Sequence, residues 1–123
     1  MVTPSVKPGP IEVTQIMVRL YTLLSQAMDR AVNEANRESF AEADFQAQLK
    51  TTQAETLAIL STNRVVHDKV QKQCERALAL AAAAQQPDPA ARTAAIEKLH
   101  AERAMLHDRT IAMTDLLAVF RST

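Results

Sequence analysis

The chain lacks nearly everything that breaks a helix. It has one glycine, Gly9, in 123 residues, and none of its five prolines lies between Ile11 and Gln86. Pro4, Pro8 and Pro10 crowd the start, and Pro87 and Pro89 mark one interior break. Gly and Pro are the strongest local punctuators of regular structure. Their scarcity leaves room for long uninterrupted helices and excludes a glycine-rich phosphate loop. Tryptophan is absent and aromatics make up 3% of the chain. Ala, Leu, Val, Ile and Met carry the apolar content; they line helix seams but give a thin core. A chain this short buries limited apolar surface when alone. The expectation is that partner chains complete part of it.

Cys74 is the single cysteine. One thiol makes neither an intramolecular disulfide nor a zinc site, which points to a reducing compartment, cytosol or nucleus. The opening MVTPSVKPGP has no apolar core of signal-peptide length. No apolar run reaches membrane-spanning length, so no membrane partner is expected. Charge of one sign is also missing: 14 basic residues balance 14 acidic ones. The densest basic stretch, Arg64, Lys69, Lys72 and Arg76, is interrupted by Asp68 and Glu75. A phosphate-tracking surface needs clustered Lys and Arg, so direct nucleic-acid binding is not expected.

What remains is helical periodicity. Residues 1–10 read as a disordered or extended Pro-rich tail, and 11–123 as one helical domain. Pro10 suits the first position of a helix over about residues 11–36. In that helix Val13, Ile16, Met17, Leu20, Leu23, Leu24, Ala27, Met28, Ala31 and Val32 recur at spacings of three and four. Asn33, Asn36 and Ser39 soften the join that follows. Ser39 with Glu42 reads as a capping box, placing a turn near Asn36–Ser39. A second helix is expected over about residues 40–84, with Phe45, Leu49, Thr52, Thr56, Leu57, Ile59, Leu60, Asn63, Val66, Val70, Cys74, Ala77 and Ala81 on its seam. Unbroken, it would span roughly 65 Å, a coiled-coil-like length. Asn63 interrupts that seam, either to fix register or as a plain surface position. Asp88 or Thr93 caps a third helix over about residues 90–120. There Leu99, Leu106, Met113 and Phe120 repeat every seven residues, with Ile96, Thr110 and Leu117 between them and Arg103 as the exception. Such a heptad calls for a helical partner, either helix two or another chain. The fold class expected is all-α, an elongated three-helix bundle or hairpin.

Side chains with chemistry are sparse. Glu97 and His100 form one Glu-x-x-His pair, but a di-iron bundle needs a second motif and further carboxylates, and none is found. His100 and His107 sit two turns apart, too far to share one metal ion. Cys74 lies on a seam and reads as a small buried hydrophobe. The methionines read as core filling. No catalytic, metal or cofactor residue is assigned, and no enzyme is expected.

Three segments resemble the Mediator complex subunit 30 family, small helical components of the RNA polymerase II coactivator. They are V-x-x-I-x-x-R at Val13, Ile16 and Arg19; FQAQLKTTQ at Phe45–Gln53 followed by RVVHDKVQKQC at Arg64–Cys74; and LHAERAMLHDRTIAMTDLLAVF at Leu99–Phe120. The turn around Pro87–Pro89 is shorter than in that family. The resemblance implies a nuclear, architectural role: a non-catalytic subunit bundled with helices of other subunits. Leu99, Leu106, Met113, Leu117 and Phe120 are the expected partner interface. The alternative is a small bacterial cytoplasmic chaperone or adaptor for secretion or flagellar export. A helical-bundle metalloprotein is a third reading.

Overall fold

The computed structural model describes residues 9–122, with the side chains of 34–37 and 121–122 excepted. The tail expected over residues 1–10 thus falls, apart from Gly9 and Pro10, outside the described residues. The protein is an all-α bundle of four helices, with no strand among the described residues. Helix α1 covers Pro10–Val32, α2 Ala43–Ile59, α3 Arg64–Ala83 and α4 Pro89–Ser122.

The long second helix expected over residues 40–84 does not exist as one rod. It breaks after Ile59 into a 3-10 turn, Leu60–Thr62, and restarts at Arg64. Asn63 makes the break: its backbone leaves helical space at φ −118° and ψ 86°. Its Oδ1 then accepts a hydrogen bond from the Val66 amide at 3.3 Å, capping α3. Neither seam-register residue nor plain surface position, Asn63 is an N-cap. No Gly or Pro marks this turn, because Asn can satisfy the first free amides of a helix with its own side chain.

The first join also differs in detail. Helix α1 ends at Val32, earlier than expected, and a 3-10 segment spans Glu34–Ala41. Ser39 does not cap α2. Glu42 holds the N-cap position, without a side-chain cap bond. The Ser39 carbonyl instead accepts from Arg30 Nη1 at 2.7 Å, and the Arg30 guanidinium lies 4.0 Å over the Phe45 ring. Before α4, Asp88 Oδ2 accepts from the Ala91 amide at 3.3 Å, with Pro89 the first helical residue.

Cross-links between helices fix their directions. Arg30 pairs with Glu42, and Arg19 with Glu55, so α1 and α2 run antiparallel. Tyr21 bonds Gln73, and Gln85 bonds the Ala31 carbonyl, so α3 returns parallel to α1. Arg103 pairs with Asp29 and Arg109 lies against Tyr21, so α4 runs antiparallel to α1 and hence to α3. The topology is up-down-up-down.

Helix α1 is central and packs on all three others. Its buried stripe is Ile16, Leu20, Tyr21, Leu23, Leu24, Ala27, Met28 and Ala31. Alanine sets the spacing of the bundle. Ala27 and Ala31 on α1, Ala77 and Ala81 on α3, and Ala95 on α4 are all buried. Side chains that small let α1 and α3 approach closely, while Leu20, Leu24, Met28, Leu49, Leu99 and Leu106 fill the remaining volume. The core therefore closes largely from within the chain.

Candidate functional site

The heptad residues expected at a partner interface lie mostly inside the protein. Leu99 and Leu106 are fully buried and Leu117 nearly so; Met113 and Phe120 are half-buried. Leu99 and Leu106 belong to the same core cluster as Leu20, Leu24 and Cys74, and Met113 packs against it. The seam's partners are α1 and α3 of this chain, the intramolecular option left open by the heptad. Arg103, the exception in the repeat, is exposed and bonds Asp29 Oδ1 at 2.5 Å.

The apolar surface left over lies elsewhere. Val65 on α3 is 71% exposed, and Ile111, Leu116 and Val119 on α4 are 47%, 44% and 57% exposed. These residues are absent from the sequence-derived seams because they sit off the core-facing stripe.

Along the edge between α3 and α4 two stripes run side by side. On α3, Val65, Lys69, Lys72 and Arg76 recur at spacings of four and three and are all exposed. On α4, Lys98, Glu102, Met105, Arg109, Ala112 and Leu116 do the same, with Glu102 buried and Met105 half-buried. The stripes meet where Arg76 Nε donates to Glu102 Oε1 at 2.9 Å. Counting outward along antiparallel helices from that contact sets Lys69 level with Arg109, and Val65 level with Ala112 and near Leu116.

Beneath this edge lies a polar layer that sequence reading missed. The Tyr21 hydroxyl donates to Gln73 Oε1 in a short bond between two buried side chains. Burial pushes the Tyr21 hydroxyl above its ordinary pKa, partly offset by the neighbouring Arg109. Arg109 of α4 and Gln73 of α3 therefore reach the same phenol from two helices. Tyr21 is the chain's only tyrosine, and that singularity was the available signal.

The interruption of the basic stretch by Asp68 and Glu75 looks different in three dimensions. Those two acids fall one stripe further round α3, away from α4. Asp68 is held below the usual carboxylate range by a hydrogen bond from His67, with Arg64 and Lys72 contributing. The two stripes themselves carry Lys69, Lys72, Arg76, Lys98 and Arg109 with Glu102, while exposed Glu97, Asp108 and Asp115 flank the α4 stripe on its outer side as Asp68 and Glu75 flank that of α3.

The remaining candidates resolve separately. Cys74 is buried, and desolvation drives its thiol up to about 12, so the reactive thiolate is suppressed. His100 and His107 do share a groove between α1 and α4, lined also by Ser25, Asp29, Arg103 and Ala104. Among the described residues no group of three or more His, Cys, Asp or Glu side chains is placed to hold a metal ion. No described helix is long and apolar enough to cross a membrane. No family model, curated protein or solved structure matches this chain significantly.

Proposed function

We propose that this chain is a non-catalytic helical subunit of a multiprotein assembly, docking through the outer surface of α4 and its edge with α3. The observation that carries the reading is the pairing of a self-filled core with exposed Val65, Ile111 and Leu116 outside it. Exposed apolar side chains on two neighbouring helices, outside a closed core, are what a helical partner can cover. The buried Cys74 thiol, with its raised pKa, argues against thiolate chemistry.

The assembly we propose is a Mediator-like coactivator of RNA polymerase II transcription, in the nucleus. Support for this finer step is the resemblance in Phe45–Gln53, Arg64–Cys74 and Leu99–Phe120. One observation favours the alternative, a cytoplasmic chaperone or adaptor for secretion or flagellar export. The completeness of the core, with Leu20, Leu24, Leu99 and Leu106 fully buried, suits a protein that stands alone between clients.

Affinity purification of the tagged chain from its native cells, with mass spectrometry of the eluate, separates the two. Stoichiometric recovery of Mediator subunits is the expected result. Recovery of the chain alone, or with a single secretion substrate, overturns the coactivator reading.

A further inference from the structure

We infer that α2 is a lid on the bundle: it leaves α1 as a unit while α1, α3 and α4 stay packed on one another. The four helices are not equally anchored. Helices α1, α3 and α4 each pack on the other two, whereas α2 packs on α1, touches α3 narrowly and makes no substantial contact with α4. Among the 17 residues of α2 the buried ones are Phe45, Leu49, Thr52 and Thr56, so two of the four are polar. Leu57 adds a half-buried side chain. A segment held by so few buried apolar side chains opens at a lower free energy than the whole fold.

The seam between α1 and α2 is also incompletely filled. A groove of about 580 Å³ lies between the two helices, with Arg19 and Leu23 on one side and Ala47, Thr51, Thr52 and Glu55 on the other. Side chains that border a void forgo dispersion contacts. One end of α2 is latched by Arg30 of α1. Arg30 Nη1 donates to the Ser39 carbonyl at 2.7 Å and lies 3.8 Å from Glu42 Oε2, and the guanidinium covers the Phe45 ring. The other end has the exposed Arg19–Glu55 pair at 3.9 Å, and such pairs contribute little. The joints at both ends are 3-10 segments, Glu34–Ala41 and Leu60–Thr62, with poorer hydrogen-bond geometry than an α-helix. Buried Leu60 pins the second joint. Release of α2 would uncover Ile16, Leu23 and Ala27, which share a stripe of α1 with Arg19 and Arg30.

The test is native-state hydrogen exchange of the full chain, read amide by amide by NMR at neutral pH. Relative to their intrinsic rates, the interior amides of α2 should exchange at least about tenfold faster than those of α1, α3 and α4, and should do so together. Arg30→Gln removes the latch. It should speed exchange in α2 by roughly tenfold and leave the interior amides of α3 and α4 far less affected. Ala47→Leu acts in the opposite direction. Ala47 is exposed and borders the groove beside Leu23, so a larger apolar side chain there should slow exchange in α2 by roughly threefold or more. If Arg30→Gln leaves too little folded protein to measure, Ala47→Leu decides. Equal protection of α2 and α3, equal acceleration of all four helices by Arg30→Gln, or unchanged exchange in Ala47→Leu overturns the inference. The lid does not rest on the subunit reading, which co-purification tests separately.

Discussion

Arg76 on α3 and Glu102 on α4 form a hydrogen-bonded ion pair with an uneven exposure: the Glu102 side chain is 10% exposed and that of Arg76 53%. The carboxylate is the desolvated partner, and its second oxygen, Oε2, is buried with no hydrogen bond. Removing the arginine would strand a charge, which costs more than removing both members. Arg76→Ala should therefore destabilise the fold by about 1–3 kcal/mol. Arg76→Met with Glu102→Leu should recover much of that loss. Urea unfolding midpoints of the single and double variants check this, and additive losses would contradict it.

Asn63 is the residue that turns one expected helix into two. Asn63→Ala should cost about 1 kcal/mol by loss of the α3 cap. It should not straighten α2 and α3 into one rod, because Val70, Cys74 and Ala77 would leave the core. An unchanged hydrodynamic radius with a lowered urea midpoint is the expected pair of results.

Leu106 and Leu116 lie on the same helix and should behave oppositely. Leu106 is fully buried, so Leu106→Ala should cost about 3 kcal/mol. Leu106→Asp places an unpaired charge in the core and should leave little folded protein. Leu116 is 44% exposed, and Leu116→Asp should stay within about 1 kcal/mol of the parent. Thermal denaturation of the three variants separates core from surface.

Alkaline pH should unfold the protein through two buried groups. The folded Cys74 thiol is raised from 9.0 to about 12, and Tyr21 is raised by burial as well. In both cases the unfolded chain gives up its proton first. The contribution to stability is complete below pH 9.0 and is lost as pH rises from there through the folded value near 12. Cys74→Ala should flatten the stability decline that begins near pH 9. Native protein at pH 8 should resist thiol alkylation, and denatured protein should react at once.

The helical class and its buried stripes were legible because apolar spacings of three and four survive into the fold. Ile16, Leu20, Leu24, Leu49, Val70, Leu99 and Leu106 all lie on stripes read from the sequence, and all are buried. The break at Asn63 was not legible, since a side-chain cap needs no Gly or Pro. Nor could the heptad of α4 reveal that its partners are α1 and α3, because a seam looks alike from within one chain or between two. Tyr21 and Glu102 were missed as core residues because polar atoms hide burial until a partner such as Gln73 or Arg76 comes into view. The separation of Lys69, Lys72 and Arg76 from Asp68 and Glu75 into adjacent stripes of α3 was obscured because the two sets interleave in sequence.

The most direct test of the account compares co-purification by the parent chain and by Leu116→Asp, both tagged and expressed in native cells. The account predicts that the parent brings down a reproducible, stoichiometric set of helical subunits. It also predicts that the folded Leu116→Asp protein loses them. Retention of the full set by Leu116→Asp, or recovery of the parent alone, would contradict it.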